Sequence, residues 1–280
     1  MPVKHLLSLL MLLMLFSPAY GQTDRQTQRI VSVDSNATEI LLALGLADQI
    51  VAADVTSQSL LSPSVPDLGY HRSLSAEGIL QYHPDWVIGS EHMGPPETLA
   101  LLEKASLKLI KLNSPSSPTQ LAENVSTLGK LLGREQQAIR VVEKIEALQA
   151  HFPSASRQDH RMVFLLNLGD RGLSQAGKGT TADALIRLLG GTNISKFAGY
   201  QSVSIEALLA INPDVILLGQ REDQVLDSEA IRQQYPLLSH TLAGQQSRII
   251  SVNAAELVAG LSLGALDEAS LIINRLKNQP

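Results

Sequence analysis

Residues 73–90, SLSAEGILQYHPDWVIGS, and residues 202–219, SVSIEALLAINPDVILLG, are two copies of one segment, and this duplication decides the fold. Six of the 18 aligned positions are identical: Ser73/Ser202, Ser75/Ser204, Glu77/Glu206, Leu80/Leu209, Pro84/Pro213 and Asp85/Asp214. The copies lie 129 residues apart, whereas solenoid repeats recur every ~20–50 residues. The duplication therefore predicts two similar lobes in one chain, with a ligand cleft between them.

The segments around each copy alternate between strand and helix patterns. Short apolar runs typical of buried strands occur at residues 29–33 (RIVSV), 85–90 (DWVIGS) and 107–112 (LKLIKL), and the pattern restarts at 161–168 (RMVFLLNL). The segments between the runs have apolar residues at helical spacing. Such alternation indicates parallel sheets covered by helices. We expect an α/β chain made of two Rossmann-like lobes with mostly parallel sheets.

A long helical stretch separates the two copies. Apolar residues recur at helical spacing through most of residues 119–151, with Gly133 as a break. We predict one long linking helix over 133–152, between an N-terminal lobe at 22–132 and a C-terminal lobe at 153–280. The second lobe should contain a glycine-rich loop at 169–179, a helix near 223–233 and a C-terminal helix from about Glu256.

The first 21 residues have the features of a secretory signal peptide. Lys4 precedes an apolar run from Leu6 to Phe16, and Ala19 and Gly21 place small residues at a cleavage site. The run is too short for a stable membrane span. The chain has no cysteine, which excludes disulfides and a lipid-modified cysteine. We expect a soluble, periplasmic monomer that is not embedded in the membrane.

Charge and motifs argue against several functional classes. The net charge of −5 is scattered, whereas nucleic-acid binding needs a basic face. The H-E-x-x-H metal motif does not occur. Residues 172–179 (GLSQAGKG) approach a phosphate-binding loop, but Gly179 stands where Ser or Thr is needed after Lys178. An exported α/β enzyme is thus a distant alternative.

Three stretches carry a family resemblance: RIVSVDSNATEILLALGLADQIVAAD (29–54), DLGYHRSLSAEGILQYHPDWVIGS (67–90) and GYQSVSIEALLAINPDVILL (199–218). They resemble the periplasmic haem-binding proteins of bacterial ABC importers, and the resemblance extends over essentially the whole mature chain. It implies capture of ferric haem between two lobes joined by one long helix, and delivery to an ABC permease with its cytoplasmic ATPase. The wider superfamily also binds ferric siderophores and cobalamin, which remain alternative ligands.

The motif specific to haem is GYHRSLSAEG, residues 69–78. The resemblance implies that Tyr70 is the axial ligand of the haem iron and that Arg72 is its hydrogen-bond partner. A phenolate suits ferric iron, but tyrosine ordinarily titrates near 10 and needs help to ionise at neutral pH. A guanidinium supplies both charge and donor. In an extended segment, Tyr70 and Arg72 would share one face, and His71 would point the other way, into solvent.

Further haem contacts are predicted on both lobes. His92 and Met93 follow the strand at 85–90, on the cleft side, and either can ligate haem iron or pack against the macrocycle. Tyr200 is the counterpart of Tyr70 in the second copy, although no arginine follows it at the same spacing. In some relatives a second-lobe histidine holds a second haem. No histidine lies between residues 160 and 240, which argues against such a site.

Two other groups of residues receive roles. Lys178, Gly179 and Thr180 lie where a glycine-rich loop meets a helix, and amide groups there can bind the haem propionates. Glu77 and Glu206 are the matched acids of the duplication. The resemblance implies that they dock onto arginines of the permease, one from each lobe. An acid in the first turn of a helix also stabilises that helix, so both roles can hold together.

Overall fold

The computed structural model describes residues 28–152, 160–220 and 228–277. The first sheet has the strand order β2-β1-β3-β4, and every pairing is parallel. Parallel neighbours need crossover connections. The four strands are β1 (Ile30–Val33), β2 (Ile50–Ala53), β3 (Trp86–Ser90) and β4 (Lys108–Leu112). The connections after β1, β2 and β3 contain, in that order, the helices α1 (Ser35–Ala43), α2 (Ala76–Leu80) and α3 (Pro96–Lys104).

The second sheet has the order β10-β9-β5-β6-β8, and β7 also pairs with β5. Its strands are β5 (Arg161–Asn167), β6 (Leu173–Ala176), β7 (Thr192–Asn193), β8 (Tyr200–Val203), β9 (Val215–Gln220) and β10 (Ile249–Asn253). Strand β6 runs antiparallel to β5 and β8, whereas the other pairings are parallel. Two α/β lobes with mostly parallel strands confirm the predicted fold class.

The second lobe departs from the sequence prediction at the glycine-rich segment. Part of the loop predicted over 169–179 is strand β6, because a tight turn at Gly169 and Gly172, both with positive φ, returns the chain along β5. The helices of this lobe are α6 (Thr181–Leu188), α7 (Ile205–Ile211), α8 (Ser228–Gln234), α9 (Leu242–Gln245) and α10 (Leu263–Lys277). The helix predicted near 223–233 is α8, and residues 221–227 lie outside the described part of the chain.

Ser75 and Ser204, shared by the two copies, each cap the N-terminus of a helix. Ser75 Oγ accepts the N–H of Gly78 at 3.2 Å and caps α2, and Ser204 Oγ accepts the N–H of Ala207 at 3.3 Å and caps α7. An N-terminal cap of this kind contributes about 1 kcal/mol. The shared serines are therefore explained by helix initiation.

The shared aspartates tie each copy to the first strand of its own sheet. Asp85 Oδ2 accepts the N–H of Arg29 at 2.8 Å, and Asp214 Oδ2 accepts the N–H of Arg161 at 2.9 Å. The residues before each Pro-Asp pair, His83 and Asn212, both have φ of 45°. Asn212 is the C-terminal cap of α7, whereas α2 already ends at Leu80, so His83 lies in the connection between α2 and β3 and does not line the cleft.

Two helices, α4 (Pro118–Leu131) and α5 (Glu135–Gln149), occupy the predicted helical stretch. The break falls at Gly133, with φ of 66°, and the helices pack closely where Gly129 meets Ala138. Helix α5 leads toward the second sheet and buries Ala138 and Ile145 in the first-lobe core. The boundaries at 22–132, 133–152 and 153–280 remain a proposal.

Helix α10 joins the lobes and begins later than predicted. Residues 254–257 form a single 3₁₀ turn, and Ala259 and Gly260 then adopt φ of 61° and 103°, which no helix interior accepts. The prediction of a helix from Glu256 is therefore wrong by seven residues. Once formed, α10 buries Leu266 in the core of the first lobe.

The predicted signal peptide, residues 1–21, lies outside the described residues. Within the described ranges, no helix combines the length and the apolar character needed to cross a membrane.

Candidate functional site

A cleft of about 410 Å³ lies between the two lobes, within the size range of small-molecule sites. The first lobe contributes Tyr70, Arg72 and His92, and the second contributes Thr181 and Tyr200. Apolar side chains complete the walls: Phe164, Leu166, Leu257 and Val258. The cleft thus combines aromatic and aliphatic surfaces with a few polar groups, and residues from distant parts of the chain meet in it.

Tyr70 lies in a turn and not in the extended segment that the sequence predicted. The N–H of Ser73 donates to the carbonyl of Tyr70 at 2.8 Å, which closes a β-turn over residues 70–73. Before it, Gly69 has φ of 78°, a conformation that glycine adopts easily. The turn brings Tyr70, which is 48% exposed, into the wall of the cleft.

His71 is buried, and the prediction of an exposed His71 is wrong. Its side chain is 2% exposed, because Nδ1 lies 3.2 Å from Oδ2 of the fully buried Asp54. The alternation argument fails because residues 70–73 form a turn, so the His71 ring lies against the ring of Tyr70 and borders the cleft from within the lobe. No pattern in the sequence connects Asp54 with His71, since only the fold brings the end of β2 beside this turn.

Arg72 and His92 supply the polar groups beside Tyr70. Arg72 is exposed, lines the cleft and takes part in none of the ion pairs formed by the described residues. Burial, with the nearby charge of Arg72, lowers the pKa of His92 below its usual range. His92 is therefore a neutral imidazole at neutral pH, and its nitrogen lone pair is free of a proton.

Met93 does not reach the cleft. It is 6% exposed and packs in the first-lobe core with Val33, Val87 and Leu99. A Cβ on Gly89 would lie 2.7 Å from its sulfur. The local sequence could not separate His92 from Met93, because the direction of each side chain depends on the loop that follows β3.

The predicted propionate site is partly committed to internal hydrogen bonds. Gly179 and Thr180 line the cleft. However, the N–H of Gly179 donates to Asp183 Oδ2 at 3.2 Å, and the Thr180 hydroxyl donates to the carbonyl of Gly177 at 2.8 Å. The Lys178 side chain is exposed and precedes the lining residues. Its ammonium group takes part in none of the ion pairs among residues 28–152, 160–220 and 228–277.

Tyr200 faces the cleft from the second lobe. It is 46% exposed and lies at the start of β8, so its backbone differs from that of Tyr70, although each tyrosine follows a glycine shortly before its copy of the duplicated segment, at a spacing that differs by one residue. Burial raises the pKa of Tyr200 above its usual value. Tyr200 therefore keeps its proton at neutral pH and presents a hydroxyl donor to the cleft.

Phe164 and Leu166 were not singled out from the sequence, yet they form the apolar wall on the second lobe. Both lie on β5 with one residue between them, so they point to the same side of the sheet. That spacing was visible in the sequence. What it could not indicate is that this side, near the carboxyl end of β5, faces the other lobe.

The two matched acids lie on the surface of their lobes. Glu77 and Glu206 are both exposed, each in the first turn of a helix capped by the preceding serine. Hydrogen bonds from its own backbone N–H and from Ser204 lower the pKa of Glu206. Neither residue lines the cleft, so both side chains are available to a partner.

The polar groups on the first-lobe wall of the cleft are a phenol, a guanidinium and an imidazole. Among the described residues, no group of three or more histidine, aspartate or glutamate side chains could hold a bare metal ion. The phenol of Tyr70, beside Arg72 and His92, is a group that can ligate haem iron.

The chain matches a family model described as "Periplasmic binding protein" over residues 30–255. Among solved structures, the periplasmic haem-binding protein HutB of Vibrio cholerae is similar, with 35% sequence identity and a TM-score of 0.77. The superposition covers 89% of this chain and 99% of that one.

Two sequence relatives broaden the comparison. The vitamin B12-binding protein of Vibrio cholerae serotype O1 is 26% identical over 202 residues, which is 69% of this chain and 71% of that protein. The uncharacterised ABC transporter substrate-binding lipoprotein YvrC of Bacillus subtilis (strain 168) is 22% identical over 202 residues. That match spans only 64% of the length of YvrC.

Proposed function

Since the chain belongs to the periplasmic binding protein family, we propose that it captures ferric haem in the cleft between its lobes and delivers it to an ABC permease. The observation that carries this proposal is the placement of Tyr70 in the cleft wall beside Arg72, a cation without an ion-pair partner among the described residues. The 35% identity to HutB, a haem-binding protein, over nearly all of its length supports the same ligand.

Tyr70 binds the ferric iron as a phenolate, and haem supplies the iron with its macrocycle as the transported ligand. Arg72 stabilises the phenolate with positive charge and hydrogen-bond donors. His92, which is neutral, lies on the same wall and can approach the iron or pack on the ring. Tyr200, which retains its proton, contacts haem as a hydrogen-bond donor and not as an anionic ligand.

The remaining contacts divide between apolar surface and charge. Leu166 and Val258, which are partly exposed, pack against the macrocycle, since burial of apolar ligand surface is favourable. The propionates lie toward the loop that contains Lys178. Because the amide of Gly179 and the hydroxyl of Thr180 already have internal partners, Lys178 carries most of this interaction.

Delivery to the permease uses Glu77 and Glu206. Both are exposed, and each lies at the start of a helix in a different lobe. Two anchors on separate lobes report the relative position of the lobes, so docking can be coupled to haem release. We propose that the protein acts as a periplasmic monomer in an importer driven by a cytoplasmic ATPase, and that it performs no covalent chemistry.

Cobalamin is the second candidate ligand, because a vitamin B12-binding protein is 26% identical over 69% of this chain. Cobalamin carries its own axial ligand and has no need of a phenolate. A ferric siderophore saturates its iron in the same way. Both alternatives therefore predict that the hydroxyl of Tyr70 contributes little to binding.

An absorption titration with ferric haem tests the proposal. The mature protein is compared with Tyr70→Phe, and Tyr200→Phe is the matched control because it loses the same hydroxyl from the other lobe. We expect saturable binding with a phenolate-to-iron charge-transfer band that only Tyr70→Phe abolishes. Saturation by cyanocobalamin or by a ferric hydroxamate siderophore, without saturable haem binding, would overturn the proposal.

A further inference from the structure

His71 and Asp54 form a buried pair directly behind Tyr70. His71 Nδ1 lies 3.2 Å from Asp54 Oδ2, and the two residues are 2% and 0% exposed. Burial acts to raise the pKa of Asp54, but hydrogen bonds from His71, Ser57 and Thr56 outweigh it and hold that pKa below its usual value. Asp54 is therefore a carboxylate, and Nδ1 of His71 is the donor.

The imidazole of His71 contacts the ring of Tyr70. The ring centroids are 4.2 Å apart, and the ring planes are tilted by 50°, so the two rings are in direct contact. The backbone of His71 is held as well, because the N–H of Gly94 donates to its carbonyl at 2.9 Å. The phenol of Tyr70 thus lies against a surface that is fixed from both sides.

Asp54 is itself firmly held. Its Oδ1 accepts the hydroxyl of Ser57 at 2.7 Å and the N–H of Asp34 at 3.0 Å, and its Oδ2 accepts the hydroxyl of Thr56 at 2.8 Å. Asp34 and Asp54 follow the adjacent parallel strands β1 and β2. Asp54 therefore holds the imidazole in a fixed position relative to the ends of β1 and β2.

The second lobe has no equivalent support. Gln201 follows Tyr200 as His71 follows Tyr70, but Gln201 is exposed and lies in β8. Duplication of the segment has therefore not preserved this arrangement, so it is not a requirement of the lobe fold. The His71–Asp54 pair lies beside Tyr70, the one tyrosine in the sequence that has an arginine two residues later.

We propose that His71 and Asp54 are positioning residues for Tyr70: the carboxylate fixes the imidazole, and the imidazole holds the phenol toward the cleft in the orientation that ferric iron needs. This inference rests on the proposed haem function. Ordering the ligand before binding reduces the entropy lost on binding. Partners behind a metal ligand typically change metal affinity by ~10–100-fold.

Two substitutions at His71 separate the ring from the hydrogen bond. His71→Asn keeps an amide donor for Asp54 and removes the ring, and His71→Phe keeps a ring and removes the donor. His83→Asn is the control, because Asn212 occupies that position in the second copy. Each protein is loaded with ferric haem, and the transfer of haem to excess apomyoglobin and the charge-transfer band are recorded. Urea unfolding of the haem-free proteins measures stability separately.

We expect both His71 variants to lose haem about tenfold faster or more and to show a displaced charge-transfer band, while His83→Asn matches the wild type. His71→Asn decides the question alone should His71→Phe not fold. Lowered stability with a wild-type dissociation rate and band would overturn the positioning role. If the wild type itself shows no saturable haem binding, it is the proposed function that fails.

Discussion

Glu39 provides a sharp test of how the two lobes are held together. Its carboxyl group lies on α1 of the first lobe, and its Oε2 accepts the N–H of Gly264 in α10 at 2.8 Å. Burial, together with the charge of Glu256, raises the pKa of Glu39 from its usual 4.5 to about 8. Ser262 donates its hydroxyl to Glu256 at 3.0 Å, so the acid pair belongs to the junction between lobes.

The sign and size of the effect follow from proton linkage. A raised folded-state pKa means that the stability from this group is complete below 4.5 and is lost as the pH rises through about 8. Each pH unit over which only the folded state keeps the proton costs about 1.4 kcal/mol. Between pH 5 and pH 8 that difference persists for about two and a half pH units, or about 3.5 kcal/mol.

Glu39→Gln should remove this loss, because glutamine is neutral at every pH and still accepts the N–H of Gly264. We expect the variant to match the wild type at pH 5 and to exceed it by about 3.5 kcal/mol at pH 8, a gain of about 7–14 °C in Tm for a chain of this size. Asp34 and Glu268, with pKa values raised to about 6 and about 7, also make the protein less stable as the pH rises. They do so equally in the wild type and in Glu39→Gln, so they cancel in the comparison.

The assay is urea unfolding of the haem-free protein at pH 5, 6, 7 and 8, with Glu123→Gln as a control at an exposed acid of α4. The quantity of interest is the change in unfolding free energy with pH, compared between variants. If Glu39→Gln and Glu123→Gln leave that dependence equally unchanged, Glu39 does not hold a proton at the lobe junction and the reasoning is refuted.

Three further predictions concern Arg72 in the cleft, Gly260 in the segment before α10, and the two exposed acids of the duplication. Arg72→Ala should weaken haem binding by about 10–100-fold, because a hydrogen bond to a charged group contributes roughly 1.5–3 kcal/mol; an unchanged Kd in the absorption titration would contradict the role of Arg72. Gly260→Ala should lower the unfolding free energy by about 1–3 kcal/mol, since Gly260 has φ of 103° and an added Cβ would lie 2.5 Å from Pro115, and urea unfolding that matches the wild type would exclude this strain. Reversing the charge at both Glu77 and Glu206, to lysine, should leave the Kd for haem intact and abolish ATP-driven uptake by the reconstituted importer; normal uptake would exclude docking through these acids.

The duplication could be interpreted from the sequence because its physics is local. Serine caps, a helix-ending residue with positive φ and a Pro-Asp pair before a buried strand leave recognisable marks within about 15 residues. The apolar alternation of strand and helix segments follows from burial of both faces of a parallel sheet. These features sufficed for the fold class, the two lobes and the positions of β1, β3, β4 and β5.

Predictions failed where a residue's environment depends on distant parts of the chain. His71 was expected in solvent and is buried, because the end of β2 places Asp54 beside it. Strand β6 was expected as a loop, because its pairing partners come from two other segments. Both errors have the same cause: local periodicity reports which side of a segment is apolar, but not what lies against that side.

The sequence by itself determined that this chain forms two α/β lobes, since caps, periodicity and spacing act over a few residues. It also showed that the chain contains one Tyr-x-Arg pair, Tyr70 and Arg72. Only the tertiary structure decided that Tyr70, Arg72, His92 and Tyr200 share one cleft, and that Met93 does not. The reason is that a cleft is formed by strand ends and loops from both lobes. Their meeting depends on long-range packing of α5 and α10, which no local pattern encodes.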